Sequence, residues 1–272
     1  MRNKVLVFAA SLFLISNSSA GIQQSTSSTT GSPQVAQRDA QAITVLSTCL
    51  NSSGGLSALG AVQDYSATGT ITYFWAGQEI TGNLTAHGMG TTDFRLDAGL
   101  PNGSRSWLVS SGQGTVKEVS GTTSTISYTD ALSLAGYSFP FLGIANLLSD
   151  TSSAIKYVGV VEMNGHTAHQ IQAQKTFSAQ VDPDGLLGKA TSQTFFIDTT
   201  TFQLIELDSI FHQEGRSTDA YTRSVQFSDY RVVNGINAPF QLSESISGQK
   251  TLSIQFSSIS FNTGLTDSDF QL

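Results

Sequence analysis

The residues best suited to chemistry in this chain are scattered, not clustered. Its four histidines are His87, His166, His169 and His212. His166 and His169 are three apart in a predicted strand, which sends them to opposite faces and argues against a shared metal. No His-Glu-x-x-His and no cysteine cluster occurs, and Cys49 has no partner in the chain, so it reads as a buried thiol. Asp182 and Asp184 resemble the start of a calcium loop, but Gly185 comes too early and no glutamate closes the frame, which leaves a plain Pro-Asp-Gly turn. Gly-x-Ser-x-Gly is absent. Glu162, Glu206, Asp208 and Glu244 fall in predicted strands and could pair as acid and base. Nothing fixes their separation, so they read as a solvated face. These residues imply no enzyme, no metal and no cofactor. A secreted hydrolase would need such carboxylates or histidines to converge in three dimensions.

The aromatic residues carry more information. Tyr73, Trp75, Phe94, Trp107, Phe195, Phe196, Phe202, Phe227, Phe240, Phe256 and Phe261 spread over most of the predicted strands. They form either an ordinary core or the lining of a concave, lipid-sized face.

The elements that must position them are mostly β. In the last fifty residues, Val225, Phe227 and Asp229, then Phe240, Leu242, Glu244 and Ile246, then Leu252, Ile254 and Phe256 alternate with Ser and Gln. Period-two alternation gives each strand one apolar and one hydroxyl or amide face, the pattern of an antiparallel sheet covered on one side. Tyr65 to Trp75, Glu79 to Ala86, Thr92 to Ala98, Arg105 to Ser110 and a hairpin over Thr115 to Tyr128 continue the pattern. Further strands are predicted over Ile155 to Met163, Thr167 to Phe177, Thr194 to Asp198 and Phe202 to His212, with Ala179 to Lys189 as a loop. Asn164-Gly165, Asn234-Gly235 and Ser247-Gly248 mark hairpin turns.

Two stretches depart from this pattern. Pro33 to Leu50 has apolar residues at helical spacing, and a short turn of helix follows at Leu56 to Val62. Thr129 to Ser149 is the most apolar part of the chain after its leader, and Gly136 and Pro140 should split it into two short helices. That segment is the candidate plug or lid.

The chain opens with Arg2 and Lys4, an apolar run from Val5 to Ile15, and small residues at Ser18 and Ala20. This is a secretory signal over residues 1–20, its apolar run too short to span about 30 Å of hydrocarbon. Residues 21–32 are Ser, Thr and Gln, read as a flexible linker, and residues 33–272 as a single domain. Loss of Arg2 and Lys4 takes the net charge from −7 to −9, which disfavours nucleic acid and anionic membrane as partners. No later segment reaches membrane-spanning length, so the mature chain is expected to be periplasmic or secreted.

Two segments carry a resemblance. Phe227-Ser-Asp-Tyr-Arg-Val-Val-Asn-Gly-Ile-Asn-Ala-Pro-Phe240 and Phe196-Ile-Asp-Thr-Thr-Thr-Phe-Gln-Leu204 resemble strand-turn-strand signatures of the periplasmic lipoprotein-carrier (LolA/LolB-like) superfamily. Gly54-Gly55-Leu56 with Ala67 to Thr70 looks like the opening of secreted relatives, and Phe94-Arg95 matches an early-strand pair. The resemblance implies an open, curved antiparallel half-barrel whose concave face is covered by short helices. It further implies a lipid- or lipoprotein-binding carrier whose partner is an acyl chain or a lipoprotein. The alternative on the same scaffold is an envelope sensor or protein-binding module. The ligand-binding set expected is Tyr73, Trp75, Phe94, Arg95, Trp107, Leu134, Phe139, Phe141, Leu147 and Phe227.

Overall fold

The computed structural model describes residues 36–126, 131, 134, 137, 139–212 and 220–272. The expected signal, linker and first part of the helix from Pro33 lie outside them. So do most of 127–138, where the first of the two predicted insert helices falls. Among these described residues, thirteen strands form one antiparallel sheet that does not close into a barrel. They are β1 (Asp64–Trp75), β2 (Gln78–Met89), β3 (Asp93–Leu100), β4 (Gly103–Ser110), β5 (Gln113–Lys117), β6 (Thr123–Ile126), β7 (Ser153–Met163), β8 (His166–Lys175), β9 (Gln193–Asp198), β10 (Leu204–His212), β11 (Ala220–Val233), β12 (Ile236–Ile246) and β13 (Gln249–Phe261). Their spatial order is β6-β5-β4-β3-β2-β1-β13-β12-β11-β10-β9-β8-β7, an open curved half-barrel.

Local turn chemistry makes the hairpins. Asn164 and Gly165 have φ of +52° and +79°, and Asn234 and Gly235 have +50° and +80°. Two successive left-handed residues give the turn whose twist matches the flanking strands, and Asn followed by Gly is the pair that tolerates it best. The long-range closure is of another kind. First strand β1 pairs with last strand β13, and the register shifts at Thr68/Gly69. A Cβ on Gly69 would lie 2.2 Å from the Gln255 carbonyl oxygen, so only glycine lets the two backbones approach there. Such a bulge adds local twist and bend.

One face of the sheet carries the core. Ala67, Ile71, Phe94, Leu96, Ala98, Leu242, Ile254 and Phe256 are all buried. The other face carries hydroxyl ladders, with Thr72–Thr81 at 2.9 Å and Thr68–Ser258 at 2.7 Å across neighbouring strands. Asp229 departs from the alternation expected of it. Its φ of +53° flips the local pattern. Its carboxylate accepts from Arg231 and Gln255, while the next residue, Tyr230, turns inward and donates to the Leu204 carbonyl at 2.6 Å.

Four helices are described over their full length: α1 (Ala40–Ser52), α2 (Gly55–Gly60), α3 (Phe141–Ser149) and α4 (Leu186–Ala190). Helix α1 starts later than its apolar spacing suggests. Arg38 is bridged in parallel to Ile155 of β7, and Asp39 caps the helix by accepting from the Gln41 and Ala42 amides. The pairing holds residues 37–39 extended, so the helix cannot begin at Pro33. Helix α4 overlaps the end of the stretch expected to be a loop. There the Asp182 carboxylate accepts from the Gly188 amide at 2.8 Å. No helix among the described residues is long and apolar enough to cross a membrane.

Topology dictates where the insert goes. Strands β6 and β7 are the two free edges of the sheet, and residues 127–152 connect them. A short connection between opposite edges of a curved sheet has to cross its concave side. Ala131, Leu134, Tyr137, Phe139, Phe141 and Ile144 are buried there, and α3 packs against α1.

Candidate functional site

The middle of the concave face is closed by these helices, and the cavity lies at one end. There the ends of β1, β3, β5 and β12 and the starts of β2, β4, β11 and β13 enclose about 950 Å³. Sites of roughly 300–1,000 Å³ hold ligands of drug size. Ile80, Leu100, Val116, Ile126, Leu134 and Leu252 form most of its apolar wall. Tyr73 and Trp107 meet edge to face at 6.4 Å, and Trp107 meets Tyr137 in the same way at 6.3 Å. Trp75 stands at the rim, 73% exposed. The chain's two tryptophans therefore both line the cavity.

Charges sit in this apolar wall. Arg105 is on the same face as Trp107 and lies over the rings of Tyr73 and Trp107, at 5.2 and 5.0 Å from their centroids. Its fork donates to both oxygens of Glu118, at 2.9 and 3.1 Å. Deeper, Arg223 and Glu244 pair at 3.3 Å with side chains only 7% and 4% exposed. The Thr251 hydroxyl donates to Glu244. Burial pushes the Tyr137 hydroxyl well above the phenol range, and the charge of Glu244 adds to it. Burial likewise raises Tyr73, with Arg105 opposing.

Four residues of the expected ligand-binding set, Tyr73, Trp75, Trp107 and Leu134, line this cavity. The others lie elsewhere. Phe94, Phe139, Phe141 and Phe227 are core side chains, and Phe139 packs on Phe141 and Phe261. Leu147 packs along α3 against the core. Arg95 is on the outer face, where it pairs with Asp97 at 2.7 Å and donates to the carbonyls of Asp269 and Gln271. It anchors the C-terminal segment there. A strand's period sends Arg95 away from Phe94, which places it on the hydroxyl side.

Two carboxylates expected on a solvated face are buried instead. Glu244 is in the cavity wall, and Glu206 is buried on the outer face beside Asp208. Glu162 is exposed. Arg105, Glu118, Arg223 and Thr251 carried no sequence signal on their own. Glu244 did, because it occupies an apolar register between Leu242 and Ile246.

Glu206 and Asp208 couple to each other. Burial pushes both carboxyls up; Gln226 opposes this at Glu206, and the charge of Asp208 reinforces it. The folded state then holds protons more tightly than the unfolded chain, so this pair's contribution is complete below the ordinary carboxylate range, about pH 4, and is lost as pH rises through the raised values. Glu206→Gln is therefore expected to be more stable than wild type at neutral pH, with the two unfolding curves converging toward pH 4. Equal stability of the two proteins at neutral pH would refute this. Asp198 has the opposite sign. Burial raises it, but the Thr200 and Thr201 amides, the Thr201 hydroxyl and His166 hold it at about 2, so its contribution is lost as pH falls toward that value. Burial pushes the Cys49 thiol up to about 12, which leaves it un-ionised and inert near neutral pH. Among the described residues, no three His, Cys, Asp or Glu side chains group so as to hold a metal.

Solved structures share this open antiparallel half-barrel. The chain superposes on a LolA superfamily protein from Nitrosomonas europaea with a TM-score of 0.52 at 8% identity, covering 85% of this chain and 98% of that one. A DUF1329 family protein from Desulfovibrio piger gives 0.51 at 12% identity, covering 85% and 97%. A domain from Vibrio parahaemolyticus described as an outer-membrane lipoprotein-sorting protein gives 0.50 at 12%, covering 85% and 96%. No protein-family model and no curated protein matches the sequence. The fold is LolA-like, and at this distance it is the fold alone that is shared.

Proposed function

We propose that this protein is a secreted or periplasmic carrier of a lipid or of the acyl chain of a lipoprotein, held in the cavity at the end of the half-barrel. On this reading residues 1–20 are removed on export, 21–32 tether the domain, and 33–272 carry the ligand. The observation that supports it most is the cavity of about 950 Å³ walled by Tyr73, Trp75, Trp107, Leu134 and Leu252. Burial of an acyl chain contributes about 0.8 kcal/mol per CH₂, on the order of 10 kcal/mol for about sixteen carbons before association costs. After those costs roughly 5–6 kcal/mol remains, a Kd on the order of 100 μM from the chain alone, with no recognisable motif required.

Both tryptophans lie at the cavity, so intrinsic fluorescence reports its occupancy. Titration with acyl ligands below their micelle concentration is expected to change it saturably, and native mass spectrometry of the exported protein should show a lipid-sized mass increment. A protein of apo mass with unchanged fluorescence throughout the titration would sink the carrier reading. The closed middle of the concave face favours the second reading, an envelope protein-binding module, and that result would select it.

A further inference from the structure

We infer that the cavity selects an amphiphile with an uncharged polar head, one that both donates and accepts hydrogen bonds, over anionic or cationic amphiphiles of the same chain length. This rests on the carrier reading and adds the class of head group. Among the described lining residues, each cation is matched to an anion. Arg105 is bound at both ends of its fork by Glu118, and Arg223 pairs with Glu244. Lys250 lies over the Phe74 ring at 4.3 Å, but it is exposed and outside the lining.

The cavity is thus apolar, charge-balanced and partly shut off from water. An anionic head approaching Arg105 or Arg223 meets a carboxylate already in place. It must either share the guanidinium with a second negative charge or displace the carboxylate into a dry wall, and both are costly. A cationic head meets the mirror-image problem, since each carboxylate already has its guanidinium, and Arg105 is further held by two aromatic faces. A hydroxyl or amide needs no counter-charge. It can accept from a guanidinium N–H and donate to a carboxylate oxygen while both ion pairs persist. Thr251 shows this at Glu244, where a neutral hydroxyl already donates to the carboxylate. A glyceryl ester, a fatty alcohol or an N-acyl amide fits this description.

The test uses the whole mature chain and three ligands that share one twelve-carbon tail: 1-monolauroylglycerol, laurate and dodecyltrimethylammonium. They are titrated at mildly alkaline pH below their micelle concentrations, with tryptophan fluorescence as the readout. The glyceride is expected to bind at least tenfold more tightly than either ion. Glu118→Gln, at a side chain 41% exposed and so safe for folding, leaves the Arg105 charge unmatched. It is expected to raise laurate affinity about tenfold and so to narrow the glyceride's advantage over laurate. Saturable binding led by laurate or by the ammonium, or a Glu118→Gln protein that gains nothing for laurate, overturns this inference and leaves the carrier reading standing. No saturable binding of any of the three overturns both.

Discussion

Replacing Phe141 with alanine is expected to destabilise the fold by about 4 kcal/mol, a value typical of a fully buried phenylalanine. The side chain is entirely buried at the first turn of α3. It meets Phe139 edge to face at 5.4 Å and Tyr230 at 6.5 Å, so truncation opens a cavity between the insert and β11 and also removes two ring contacts. Neither neighbour can collapse into the gap. Tyr230 is held by its hydroxyl on the Leu204 carbonyl, and Phe139 is packed on Phe261. Domains of this size are stable by only about 5–15 kcal/mol, and each kcal/mol shifts Tm by roughly 2–4 °C. A fall in Tm of about 10 °C is therefore expected, with a lower urea midpoint and an unchanged slope. Phe141→Leu keeps most of the volume and should cost less than about 1.5 kcal/mol. A loss below about 1 kcal/mol for the alanine variant would show that α3 is not packed as described.

Arg38→Ala comes next, at about 3 kcal/mol, through hydrogen bonds and not volume. The guanidinium donates to four carbonyls around the end of α3: Leu148 and Asp150 at 2.7 Å, Ser153 at 3.1 Å and Leu147 at 3.3 Å. These acceptors include the last carbonyls of a helix, which have no partner within it and carry its negative dipole end. One positive side chain therefore caps α3 and ties it to the extended segment that leads into α1. Without Arg38 the part-buried carbonyls lose a charged donor. Arg38→Lys should restore only a small part of the loss, because an ammonium cannot span four carbonyls as a planar fork does. Hydrogen exchange should show faster exchange in α3 before any change in β12 or β13. Wild-type protection in α3 of Arg38→Ala would contradict this role.

Both residues act on the insert, and they illustrate which features were legible beforehand. The apolar run from Ala131 to Leu148 announced buried helix with a break at Pro140, and α3 begins at Phe141. That Arg38 caps it was invisible. The two are more than a hundred positions apart, and their meeting depends on β7 being an edge strand with room for residues 37–39 beside it. The aromatic residues behaved similarly. Their alternation marked the inward face, but it could not separate Phe94 and Phe227, which fill the core, from Tyr73 and Trp107, which line the cavity. Both sets obey the same period of two.

The strands, their turns and the division into an oily and a hydroxylated face come from short-range rules: the period of the pleat, the tolerance of Asn-Gly for left-handed φ, and the apolar content of neighbouring residues. Each is satisfied within about ten positions of chain. The charge-matched end of the half-barrel arises otherwise. Glu244 stood in an apolar register, but its partner Arg223 and the Arg105–Glu118 fork became neighbours of one space only through the pairing of β1 with β13 and the crossing of the insert from one edge to the other. Strand order and long-range contact are settled by the packing of the whole chain, so no local stretch of residues encodes which end of the sheet is filled and which stays hollow.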